Sequence, residues 1–272
     1  MSPILRTFLI ATAIPIVLAF SSTSVAYTCN ETALAFATEA YIAAQTTGDL
    51  SLLRPSLSAN VHYVENNQVI DIQTGILTKA LKIDHRRTTT DLVTCATYTE
   101  LIVTDPANPY VIGTQLRNDD GQKITVIDTV ASTTNSWRFN ATKTLEYVLQ
   151  EDWHPIPEDK QDTRETLLAA GDAYMNIWGN ASAFDLVPWG TPCQRIEGGD
   201  LVPDCRSEFD PEHATAPPVA HRRYVVDVSR GSVSILDVFV HIKNAADSHE
   251  FRLEGGKLRY VHTMTVCGGN PC

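Results

Sequence analysis

Hydrophobic positions along the chain fall into two series of the same kind. From Glu31 to about Gln45, Leu34, Ala37, Tyr41 and Ala44 recur at helical spacing. From Glu165 the pattern returns, with Leu167, Gly171, Tyr174 and Trp178 along one side and Leu168 and Met175 beside them. Thr28-x-x-Glu31 and Asp162-x-x-Glu165 provide capping arrangements at the two starts. Each helical stretch gives way to a polar loop and then to β-branched, strand-like runs. The spacing therefore predicts helix first and an antiparallel meander after it, twice over.

Four local matches occur in the same order in both halves. Glu39-Ala40-Tyr41-Ile42 pairs with Asp172-Ala173-Tyr174-Met175 at an offset of 133, and Val61–Glu65 with Gln194–Glu197 at 132. Lys123–Asp128 resembles Ser232–Asp237, and Leu145–Val148 resembles Leu258–Val261, at offsets of 109 and 113. The reading is a duplicated unit with an insertion in the first copy, covering Gly75–Leu81 (a short helix) and the polar stretch Asp84–Asp91. Gly255-Gly256 turns the last hairpin. The predicted fold class is α+β, two tandem units, each a curved antiparallel sheet packed on helices. The divisions are a leader at 1–26, unit one at 27–150, a charged, proline-bearing linker at 151–162 and unit two at 163–272.

The leader changes the picture of where the protein works. Arg6, the apolar run Thr7–Phe20 and the small residues Ser24-Val25-Ala26 form a secretory signal pattern, with cleavage expected after Ala26. The alternative, a membrane anchor, is disfavoured because the run is short and Pro15 interrupts it. The chain has 272 residues and a formal charge of −11, which disfavours nucleic acid and anionic lipid as partners. No membrane association is expected after cleavage. The six cysteines, Cys29, Cys95, Cys193, Cys205, Cys267 and Cys272, all follow the leader and suit an oxidising compartment. Fifteen pairings are possible; the expected ones are Cys29–Cys95, Cys193–Cys205 and Cys267–Cys272. Neither C-x-x-C nor HExxH is present, so no metal site is expected. Asn30, Asn140 and Asn180 begin N-x-S/T sequons, plausible exposed glycan sites.

Chemistry is suggested by acids among apolar neighbours. Ser232–Ile242 is apolar at both parities, so it reads as a strand buried on both faces, with Asp237 inside it. Asp128 lies likewise between Val126 and Val130. A carboxyl in an apolar site has a raised pKa and becomes a useful acid or base near neutrality. The competing reading pairs Asp237 with Arg222, Arg223 or Arg259. Glu65 and Glu197 are strand-end acids at equivalent places. His62, His262, Tyr147 and Tyr260 can serve as acid–base groups or as packed structure. Trp153, Trp178 and Trp189 can stack on a ring or simply pack. No G-x-S-x-G, Walker loop or dinucleotide-binding glycine pattern is present.

The second half also resembles a group of secreted fungal proteins with tandem SnoaL-like domains of the nuclear transport factor 2-like type. The resemblance is carried by Pro192-Cys193-x-Arg195-x-Glu197-Gly198-Gly199, Arg222–Asp227, His249-Glu250-Phe251-Arg252, Gly255-Gly256-Lys257 and Arg259-Tyr260-Val261-His262. In the first half, Tyr63-Val64-Glu65-Asn66 carries it more weakly. It implies a cone fold with an acid or histidine on the sheet for cofactor-free cyclisation, isomerisation or dehydration. The expectation is thus a secretory-pathway enzyme acting on a small apolar or polyketide-like metabolite of fungal secondary metabolism. Asp237 would be central, Glu197, His262 and Tyr260 would assist, and Asp128 and Glu65 would be the unit-one counterparts. No cofactor is expected, and the two units would pair within a monomer. The alternative is a secreted, non-catalytic binding or interaction module.

Overall fold

The computed structural model describes residues 29–267 apart from 120–121, 208, 210–213 and 215–216. The proposed leader and Cys272 lie outside the described residues. Unit one contains α1 (Glu31–Thr47), β1 (Leu57–Glu65), β2 (Gln68–Val69), β3 (His85–Asp91), β4 (Ala96–Val103), β5 (Tyr110–Asn118), β6 (Ile124–Thr133) and α2 (Ala141–Val148). Unit two contains α3 (Arg164–Asn176), β7 (Trp189–Glu197), β8 (Asp200–Val202), β9 (Ala220–Asp227), β10 (Ser232–Phe239), β11 (Ala245–Glu254) and β12 (Lys257–Val266). The strand orders are β2-β1-β6-β5-β4-β3 and β8-β7-β12-β11-β10-β9, one topology drawn twice. In each sheet the first strand runs parallel to the last, and the remaining neighbours are antiparallel.

Local chemistry explains the elements. Asn30 caps α1 through Ala33 N, and Gly48 ends it in the left-handed conformation, φ 70°. Gly255 and Gly256, at φ 59° and 71°, give the two-residue β11–β12 turn the positive dihedrals it needs. Inside unit one, α1 places Tyr41 and Ala44 against Leu101, Ile112 and Ile127 of the sheet. Inside unit two, α3 places Leu167, Tyr174 and Met175 against Val233, Ile235 and Phe251. Cys29–Cys95 and Cys193–Cys205 are disulfide-bonded, with Cα atoms 5.2 and 5.4 Å apart.

The outer faces of the two sheets pack on each other. Tyr98, Ile102, Val111 and Val130 of unit one meet Ile196, Val225, Leu236 and Met264 of unit two. This is why β4 and most of β10 are buried at both parities. The packing is reciprocal about a pseudo-two-fold. Thr90 N donates to Asp227 Oδ2 (2.9 Å), and Val226 N donates to Asp91 Oδ2 (3.1 Å).

Strand register corrects the internal alignment. Thr129 lies opposite Glu65, and Thr263 opposite Glu197. β6 therefore corresponds to β12, not to β10 as the Lys123–Asp128 match implied. Asp128 corresponds to His262, and Asp237 to Leu101. Leu145–Val148, matched to a strand, belongs to helix α2. The polar segment Asp84–Asp91 is not an insertion, because it contains the edge strand β3. The other inserted piece, Gly75–Leu81, holds a single 3-10 turn, Ile76–Thr78.

Candidate active site

Inward-facing residues of unit two form cross-strand rows. One row runs Ile235–His249–Thr263–Glu197, and the next runs Asp237–Asp247–Thr265. In unit one the same places hold Thr99–Thr114–Thr129–Glu65 and Leu101–Ile112–Ala131. An apolar core position in unit one has thus become an acid pair in unit two.

Those rows face a cavity of about 390 Å³. Trp137, Trp178, Phe239 and Ile242 supply apolar wall, Asp247, His249 and Thr263 supply polar groups, and Arg195 and Glu197 lie at the β7 side. Asp237 and Asp247 are fully buried and His249 nearly so. His249 Nδ1 stands 2.8 Å from Asp247 Oδ2 and 3.9 Å from Asp237 Oδ2. None of these atoms has an aligned hydrogen-bond partner, and neither does Thr263 Oγ1. The other Asp247 oxygen accepts from Thr265 Oγ1 at 2.6 Å. Unsatisfied buried polar atoms are costly and call for a ligand, a proton or a water.

The histidine ring is held by aromatics. Phe251 stacks on it at 5.8 Å between centroids, and Tyr174 tilts against it at 5.6 Å. Burial, and then the neighbouring Asp247, push the Asp237 carboxyl well above the usual range. The alternative ion pair is not formed. Arg222 binds Asp172 (2.8 Å), Arg223 turns to Asp128, and Arg259 lies over the Tyr260 ring. Asp237, Asp247 and His249 each offer one donor atom within 4.8 Å of the others, the spacing a cation could use. Glu100, Glu250 and His262 do the same, but the Arg87 guanidinium already sits among them.

The remaining sequence candidates separate. Glu197 is at the cavity, where its carboxylate accepts from Trp137 Nε1 (2.9 Å) and pairs with Arg195 (3.2 Å). Glu65 is in unit one, accepting from Tyr63 Oη (2.6 Å) and Ile76 N (2.7 Å), and so it fixes a loop. Asp128, His262 and Tyr260 have the opposite parity and point into the inter-unit face. Asp128 pairs with Arg223. His262 lies between Glu100 (2.8 Å) and Glu151 (2.6 Å), and Tyr260 Oη accepts from Asp152 N. The expectation of matching acids in two hollows is overturned, since Asp128 faces the partner unit. Asp247 and His249 were missed because sequence alone does not show which strands pair. The sequon residues Asn30, Asn140 and Asn180 are exposed N-caps.

The chain is thus a tandem of two α+β cones with a polar-bottomed cavity in the second. Residues 160–265, which hold α3, β7–β11 and β12 short of its last residue, match a family described as a Domain of unknown function (DUF8021). A crystal structure of an NTF2-like protein of unknown function from Shewanella baltica OS155 is similar at 13% identity and a TM-score of 0.28, over 38% of this chain and 94% of that one. No curated protein matches the chain.

Proposed function

We propose that unit two is an acid–base catalytic cavity for a small, largely apolar molecule, in a protein of the secretory pathway. The carrying observation is that Asp247 Oδ2 and His249 Nδ1 stand 2.8 Å apart, buried, unaligned with each other and lining the cavity. A substrate hydroxyl or enolisable C–H placed against the pair meets a carboxylate and an imidazole together. One takes a proton while the other returns one, which balances a cyclisation, isomerisation or dehydration without an electron acceptor. Asp237, behind Asp247, is a positioning residue. Burial and the neighbouring Asp247 favour its protonated form. The tyrosine and phenylalanine packed on His249 hold the ring in place. The disulfides Cys29–Cys95 and Cys193–Cys205 fit an oxidising compartment.

The test is incubation of the full chain with a metabolite extract of the source organism, read by mass spectrometry. The expected result is loss of one compound with gain of an isomer or a dehydrated product, abolished in Asp247→Asn and His249→Gln. Retention of a compound without change in the wild type would make unit two a binding module instead.

A further inference from the structure

Unit one lacks the acid pair, yet it contributes to the cavity. After β6, residues 134–140 leave unit one and lie across the rim of unit two. Trp137 N donates to Thr265 O at 3.1 Å, and Gly199 N donates to Arg138 O at 2.6 Å. Thr144 Oγ1 of α2 donates to Gly198 O at 2.8 Å. The strap can lie this close only because two glycines follow β7. A Cβ on Gly198 would stand 2.4 Å from Trp137 O, and one on Gly199 would stand 2.3 Å from Asn140 Cβ. Gly198 also has φ 61°, a conformation that favours glycine. The strap delivers the Trp137 indole as cavity wall, and its N–H holds Glu197.

The lining defines a ligand class. Trp137, Trp178 and Phe239 present aromatic surface, and Trp178 meets Phe239 edge-on at 5.2 Å and 82°. Such walls suit a flat ring system. The charges at the rim are matched within the protein, Arg195 with Glu197 and Arg138 with Asp200. The far end presents Asp247, which repels an anion. From His249 across Thr263 to Glu197 is two strand spacings, about 10 Å, room for two fused rings. Resting on the reading above, we infer that the cavity is a composite of both units, closed by the Trp137 strap, and takes a neutral, hydroxylated, ring-bearing molecule.

The test uses 2-naphthol as probe and naphthalene-2-sulfonate as its anionic counterpart, titrated calorimetrically into the full chain. The wild type should bind 2-naphthol and not the sulfonate. Trp137→Ala should weaken 2-naphthol binding at least tenfold, and Trp137→Phe, which keeps a ring but loses the N–H, severalfold. Gly198→Ala, which touches no lining side chain, should weaken it by displacing the strap. Failure of the wild type to bind 2-naphthol, equal binding of the sulfonate, or unchanged affinity in Trp137→Phe and Gly198→Ala would overturn the inference. Asp247→Asn separates the two proposals. If it weakens binding while the strap variants do not, the composite wall falls and the acid–base site stands. If only the strap variants matter, the wall stands and the acid–base reading loses its support.

Discussion

Asp237 illustrates what a residue and its neighbours disclose. Its burial was legible because both parities of its strand are apolar, but its partners were not. Asp247 sits opposite it on β11, in a polar run, Ala245–Glu254, that is buried at both parities because one face lines the cavity and unit one covers the other. The raised pKa of Asp237 has a consequence for stability. Below the ordinary aspartate pKa, folded and unfolded chains both hold the proton. Above it the unfolded chain releases the proton and the folded one does not, so stability falls as pH rises, by up to about 1.4 kcal/mol per pH unit for one group. Asp247, Arg222 and Arg223 modulate the range. Urea unfolding from pH 4 to 8 should show Asp237→Asn gaining on the wild type as pH increases. Parallel curves would mean that Asp237 ionises in the folded protein.

Helix starts and strand pairings differ in how openly they are written. Both long helices were legible because their apolar periodicity is a local signal, but their caps are Asn30 and Thr163, not the Thr28 and Asp162 that the spacing suggested. Leu145–Val148 was taken for a strand because four apolar and polar residues fit either period, and helix α2 is only eight residues long. The match of β6 to β10 failed for a related reason: β-branched runs after a turn look alike, and sheet order lies outside any one run. The sequons acquire a second meaning here. Asn30 caps α1 by accepting from Ala33 N at 3.1 Å through Oδ1, which leaves Nδ2 for a glycan. Asn30→Ala should therefore cost about 1 kcal/mol, whereas Asn30→Asp, which retains the accepting oxygen, should cost little. Thermal unfolding of the two variants, each lacking the sequon, checks this free of any glycan effect.

Duplication has made a single molecule out of surfaces that would otherwise be open. The outer face of each sheet is covered by the other unit, so light scattering should give the mass of one chain; an obligate dimer would show that a further face is used. Equivalent positions at this joint have diverged into complementary charge. Arg223 reaches from unit two to Asp128, while Arg87 reaches from unit one to Glu250 (2.7 Å), and His262, the counterpart of Asp128, bonds Glu100 of unit one (2.8 Å). The linker, read as a charged connector, closes this centre. Glu151 bonds His262, and Trp153 lies under the Arg87 guanidinium at 3.6 Å. Burial alone would lower the His262 pKa, but Glu151 and Glu100 outweigh it and raise the imidazolium to about 10. Its unfolded value is near 6.5. The resulting stabilisation is complete below pH 6.5 and is lost as pH climbs through 10, at up to about 1.4 kcal/mol per unit. Glu250, whose pKa is raised by burial, acts in the same direction from lower pH, and Glu100, which Arg87 and His262 keep ionised against its own burial, remains charged throughout this window. Urea unfolding of the wild type should lose stability steadily between pH 6.5 and 10, while His262→Gln should be less stable at pH 6.5 and should fall less steeply above it. A wild-type slope no steeper than the variant's would show that His262 is neutral in the folded protein.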